Sequence, residues 1–105
     1  MNKEYKKLWL EALRSGDYKQ ARGRLMDVDD DFNKTYCCLG VLCKVAKAIK
    51  WRNGAILPLN LLKRTELEDT DPQVFYKRKQ RSLSELNDDV ELSFKQIANI
   101  IEKQL

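Results

Sequence analysis

Tyr36-Cys37-Cys38-Leu39-Gly40-Val41-Leu42-Cys43 is the longest uninterrupted run of apolar and small residues in the chain, and its reading decides the fold. Continued to Lys50, it places Cys38, Leu42, Val45 and Ile49 along one side of a helix and Leu39, Cys43 and Ala46 along the adjacent side. The first two turns are then apolar nearly all round, and only Lys44, Lys47 and Lys50 supply a wet face. A central buried helix over about 37–50 is the prediction. Gly40 costs such a helix about 1 kcal/mol relative to alanine, which points to another backbone passing close to it. A buried helix N-terminus also presents free N–H groups, to be satisfied by a strand, a side-chain cap or an anionic ligand.

The elements around this helix follow from local patterns. Tyr5, Leu8, Trp9, Ala12 and Leu13 form one helical stripe, ending near Arg14, with Gly16 placed for a left-handed helix terminus. Tyr18 to Met26 alternates in the manner of a strand, although helix remains open there, and Phe32 to Tyr36 is expected to pair back as a hairpin. Trp51 to Gly54 closes the central helix, and Leu57 to Leu62 reads as a short helix with Pro58 near its first turn. Val74 to Lys77 is a strand candidate, with the basic run to Arg81 flanking or extending it. Ser82-x-x-Glu85 and Ser93-x-x-Gln96 are capping boxes, the second with Leu92 and Ile97 as a hydrophobic staple. Phe94, Ile97, Ala98, Ile101 and Leu105 should dock the terminal helix on the central one. The expected fold is α+β: a predominantly helical single domain over 1–105, with N- and C-terminal helices on a central buried helix and a small antiparallel sheet or hairpins.

Composition narrows the chemistry. The chain has 105 residues, 43% of them apolar, and no run approaching the roughly 18–20 apolar residues of a membrane span. The N-terminal residues lack the apolar segment of a secretory signal, so a cytoplasmic protein without a membrane partner is expected. Three cysteines, two adjacent, fit reduced core thiols better than a disulfide framework. The absence of histidine removes Ser-His and Cys-His nucleophile pairs and His-containing zinc sites. There is no glycine-rich phosphate loop, and no cofactor is expected. The acidic run Asp27-Val28-Asp29-Asp30-Asp31 fails the EF-hand pattern, since Phe32 and Cys38 stand where glycine and glutamate are needed. The expectation is a non-enzymatic protein without a metal.

Charge is blocked by sign, with a net value of +4. Residues 34–64 carry seven Lys or Arg and no acid, while Lys77, Arg78, Lys79 and Arg81 form a second basic cluster beside Phe75 and Tyr76. Such blocks are compatible with an anionic partner.

Trp9-x-x-Ala12-Leu13-Arg14-Ser15-Gly16-x-Tyr18-x-Gln20, Gly23-x-Leu25, Tyr36 to Cys43, Leu86-Asn87-Asp88 and Ser93-Phe94-x-x-Ile97-Ala98-x-x-Ile101 together resemble a family of small, largely uncharacterised proteins encoded by bacteriophages and prophages. Residues 51–80 carry no matching motif. The resemblance implies a bacterial host cell as the setting, and small phage proteins often act by binding. The leading expectation is therefore an accessory protein that antagonises a host defence component, either an effector protein or an anionic nucleotide signal. For a phosphate-bearing ligand the candidates are Arg14, Gln20, Arg22 and Arg24, which the turn and strand after the first helix should bring to the N-terminus of the central helix, with Tyr18 stacking on a base. The alternative is a small DNA-binding regulator using the C-terminal helix and Lys77, Arg78, Lys79 and Arg81. A virion or assembly component is a third possibility.

Overall fold

A computed structural model describes residues 1–105, in the order α1 (Lys3–Ser15), β1 (Lys19–Gln20), β2 (Met26–Val28), β3 (Lys34–Tyr36), α2 (Cys38–Val45), α3 (Leu59–Thr65), β4 (Gln73–Tyr76), β5 (Lys79–Ser82), α4 (Leu83–Asp88) and α5 (Phe94–Gln104). The α+β class is as expected.

Helix α2 is buried on every side from Cys38 to Cys43, as its composition requires. It is shorter than the sequence suggests. The chain turns left-handed at Lys47, whose N–H bonds to the Lys44 carbonyl at 3.2 Å while the Ala48 N–H reaches the Cys43 carbonyl at 3.0 Å. These two bonds are a Schellman termination, made here by a lysine where glycine is usual. Ile49 therefore leaves the helical stripe and is 66% exposed.

Helix α1 lies between α2 and α5 and packs on both. Asn2 caps its start, Gly16 at φ 81° ends it, and Trp9, Ala12 and Leu13 are buried. Leu8, at the margin of the predicted stripe, is largely exposed. The indole N–H of fully buried Trp9 donates to the Cys38 carbonyl at 2.8 Å, joining α1 to the first turn of α2. Helix α5 docks on α1 and α4 instead of on α2. Its capping box at Ser93 forms in both directions, whereas at α4 only the Ser82 hydroxyl caps, because Glu85 is drawn to Arg81.

The three-stranded sheet has the order β1-β3-β2, with β3 antiparallel to β2 and parallel to β1. The alternating stretch after α1 is thus two short strands interrupted at Ala21–Leu25, where Gly23 takes φ 90°. The acidic run forms the β2–β3 turn. One Asp29 carboxylate oxygen accepts the N–H groups of Asp31 and Asn33, and Lys19 pairs with the other at 2.5 Å. Those bonds hold the Asp29 carboxyl below its usual range, the Lys19 contact contributing most. The second sheet is the hairpin β4–β5. No helix is long and apolar enough to cross a membrane.

Candidate functional site

Two places in the fold gather the residues singled out by sequence. The first is the N-terminal end of α2. Gly40 lies so close to the chain before β2 that an added Cβ would stand 1.7 Å from the Leu25 carbonyl oxygen, which accounts for glycine in a buried helix. The Cys37 N–H donates to that same carbonyl at 3.3 Å. The Cys37 thiol caps the helix by accepting the Gly40 N–H at 3.4 Å. Asn87, fully buried on α4, supplies the other cap. Its Oδ1 accepts the Cys38 N–H at 3.1 Å and the Gln20 side-chain amide at 2.8 Å, and its Nδ2 donates to the Ala21 carbonyl at 2.8 Å. Gln20 also donates to the Leu92 carbonyl at 2.9 Å. One amide thereby ties β1, α2 and α4 together, with its donors and acceptor engaged by protein groups.

The charges facing this end of α2 are carboxylates. Asp71, held by the Ser84 N–H and hydroxyl, and Asp88 both raise the Cys37 and Cys38 thiols, adding to the larger effect of burial. Cys37 is pushed up to about 11 and Cys43, also mainly by burial, to about 12, so both are protonated thiols near neutrality.

Of the residues expected to converge here, only Gln20 does. Arg14 points across α1 to α5, donating to Asn99 at 2.9 Å and Glu102 at 2.8 Å, and its guanidinium lowers the Glu102 carboxyl. Arg22 faces Glu91 at 3.9 Å beside the α4–α5 loop, and Arg24 is exposed. Tyr18 packs edge-on against Tyr36 at 5.5 Å between ring centroids, and Tyr36 stacks on Trp51 at 6.3 Å. The ring expected to take a base is committed to an aromatic row. Asn87 is the residue that sequence reasoning missed. The signal available was a short-chain amide directly after Leu86, the last apolar position of α4.

The second place is the β4–β5 hairpin. Tyr76 pairs with Lys79, leaving Lys77 and Arg78 as a two-residue turn with φ 50° and 66°, the type I′ geometry that asparagine and glycine adopt most readily. Holding a lysine and an arginine left-handed costs on the order of 1 kcal/mol each. Lys77, Arg78 and Lys79 are exposed; Phe75, on the opposite strand face from Val74 and Tyr76, is 67% exposed. Arg81 does not join them, because it turns inward to Glu85 at 2.6 Å with its Nε buried and unpartnered. The outer edge of β4 is closed by Gln104, whose side-chain amide accepts the Phe75 N–H and donates to the Phe75 carbonyl, both at 2.8 Å.

Helix α5 presents little that could read a groove. Asn99 and Glu102 serve Arg14, Gln96 serves the capping box and Gln104 serves β4, leaving Lys95 and Lys103 among its outward polar side chains.

No curated protein and no solved structure matches the chain. A family model described as a domain of unknown function (DUF8296) matches residues 1–57, which span α1, the three-stranded sheet, α2 and the turn after it. Both the Asn87 cap and the basic hairpin lie beyond that segment. The match covers more than half of the chain, and the protein belongs to the DUF8296 family.

Proposed function

We propose that this protein is a non-enzymatic binding protein of phage or prophage setting that occupies an acidic surface of a host defence component. The observation that carries this reading is the tip of the β4–β5 hairpin, where Lys77, Arg78 and Lys79 are held out beside exposed Phe75 at the cost of two left-handed non-glycine residues. Backbone strain of this kind persists where it serves a function or where surrounding structure enforces it. The two-residue hairpin itself requires positive φ at both turn positions, so the particular feature is that a lysine and an arginine stand where asparagine and glycine fit more readily. An exposed aromatic on one face of the hairpin with cations at its turn, Lys77 lying over the Tyr76 ring at 5.5 Å from the centroid, is the composition of an anchor with electrostatic steering toward an acidic partner. Protonated, buried thiols support the non-enzymatic part of the reading, and the amides at the α2 N-terminus, already engaged, favour a protein partner over a nucleotide signal.

The test is phage plating on bacterial strains that each carry one defence system and express either the protein or its Phe75→Ala, Lys77→Glu, Arg78→Glu variant. Restored plating by the wild type and loss of that restoration in the variant are expected. Restoration by the variant equal to the wild type, or relief of no system by either, overturns the reading.

The hairpin also bears on the DNA-binding alternative, since a ring beside cations can stack on an unpaired base. Fluorescence anisotropy with single-stranded and duplex oligonucleotides, repeated across salt concentrations, separates the two. Nucleic-acid binding through phosphates falls steeply with salt. Saturable binding that the hairpin variant abolishes would replace the protein partner by nucleic acid.

A further inference from the structure

We infer that the outer edge of β2 is a docking strip for an extended acidic peptide segment of a partner protein. Register identifies the backbone groups available there. The Cys37 N–H bonds to the Leu25 carbonyl at 3.3 Å and the Asp29 N–H to the Asn33 carbonyl at 3.0 Å, with Asp27 opposite Thr35 between them. Bonded and non-bonded pairs alternate in an antiparallel ladder. Met26 and Val28, opposite Tyr36 and Lys34, therefore turn their N–H and carbonyl groups away from β3, to the outer side of the sheet. The Val28 N–H is met there by the Asp27 side chain of its own strand at 2.8 Å, a local bond that a docked strand displaces.

The other sheet shows how this chain covers an edge when it does so. Gln104 occupies both outward groups of Phe75 on β4. No other segment of the chain plays that part for β2.

Beside this edge runs an open groove of about 510 Å³, lined by Met26, Lys50, Trp51, Arg52, Asn53 and Gly54. Its charged lining is cationic only, and Arg52 lies over the Trp51 ring at 5.6 Å from the centroid. Exposed Val28 on the strand, with Ile49 and Ile56 in the segments flanking the groove-lining turn, adds apolar surface. An extended segment that pairs with Met26–Val28 would turn every second side chain to the Met26 and Val28 face, where carboxylates meet Lys50 and Arg52, and set its apolar side chains on the Asp27 face. This is strand addition, in which main-chain bonds supply affinity and side chains supply selectivity. A second copy of the chain fits less well. The antiparallel register that uses both Met26 and Val28 would set Asp27 directly against the other Asp27, a like-charge pair that destabilises a ladder.

The probe is an N-acetylated decapeptide of alternating valine and glutamate, titrated into ¹⁵N-labelled protein, with its lysine-for-glutamate counterpart as control. Saturable shifts of the Met26–Val28 amides and the Trp51 indole are expected. Val28→Pro removes one outward N–H yet leaves the Asp27–Thr35 ladder pair intact, since proline is tolerated on an edge. It should weaken binding by at least about tenfold, and Lys50→Glu with Arg52→Glu should do the same. If Val28→Pro fails to fold, the double charge reversal, which touches no ladder bond, decides. The inference is overturned by no saturable shift at millimolar peptide, by shifts centred on residues 75–79, by equal binding of the lysine peptide, by undiminished binding in either folded variant, or by concentration-dependent dimerisation through β2 in sedimentation. Because β2 and the hairpin belong to different sheets, loss of binding here leaves the hairpin reading standing, and the hairpin variant should bind this peptide normally.

Discussion

Gly40→Ala carries the sharpest test of the packing. The added Cβ would lie 1.7 Å from the Leu25 carbonyl oxygen and 2.7 Å from its carbon, both backbone atoms that no rotamer change can move. Relief requires the Leu25 segment to lift from α2. That movement breaks the Cys37 N–H bond to the Leu25 carbonyl, 3.3 Å, and strains the Leu25 N–H bond to the Gly54 carbonyl, 3.0 Å. It also draws a fully buried leucine toward water. Two hydrogen bonds at about 1 kcal/mol each, with part of the roughly 2 kcal/mol of leucine burial, oppose about 1 kcal/mol gained by replacing a helical glycine. The net loss is about 2 kcal/mol. At a urea slope of about 1.5 kcal/mol/M the unfolding midpoint should fall by about 1.3 M. Fluorescence of the buried Trp9 and Trp51 and far-ultraviolet dichroism should report the same transition. Gly54→Ala is the control, because its Cβ would meet the flexible Leu25 side chain and the Trp51 carbonyl at 3.3 Å, and a shift of a few tenths of an ångström clears it. A Gly40→Ala midpoint equal to or above wild type would refute the backbone contact.

Other perturbations follow from the same geometry. Asn87→Ala should cost about 2–4 kcal/mol in chemical denaturation, since it leaves the buried Cys38 N–H and the Ala21 carbonyl without partners and the Gln20 amide with the Leu92 carbonyl alone. Lys47→Gly should raise stability by about 0.5–1 kcal/mol by relieving a left-handed lysine at φ 53°, and an unchanged thermal midpoint would count against that termination. The cysteine thiols are raised above the ordinary value of 9.0, so the folded state holds their protons more tightly than the unfolded state. Their contribution is fully present below pH 9 and is lost as pH rises toward 11 to 12, with a slope of up to about 1.4 kcal/mol per pH unit for each thiol. Urea titrations between pH 8 and pH 11 should show that decline, and a Cys43→Ala variant should show less of it. Gln104→Ala should cost below about 1 kcal/mol yet promote self-association at high concentration, because it frees the Phe75 edge groups.

Some of the site was legible in the chain and some was not. The Gly40 close approach could be anticipated because a glycine in an apolar helix needs a spatial reason; the identity of the approaching segment, Leu25, could not. The basic run 77–81 was visible as a cluster, but strand alternation and the turn divide it, sending Arg81 to Glu85 and the other three outward. The arginines after α1 do not converge because Gly23 and the bends around it break the strand that would have aligned them.

What the sequence determined by itself were the features set by neighbours along the chain. Capping at Ser93, the left-handed exit at Gly16, the buried faces of α1 and α5 and the all-round burial of α2 depend on residues within about one or two helical turns. The tertiary structure alone decided the rest. It placed α1 between α2 and α5, made β1 parallel to β3, and seated Asn87 of α4 on the first turn of α2. Each of these joins segments far apart in the chain, and amphipathic patterns specify that a face is buried without specifying against what. The helix that opened the reading became a short core element whose Cys38 N–H, left open by its own sequence, is satisfied by a side chain 49 residues away.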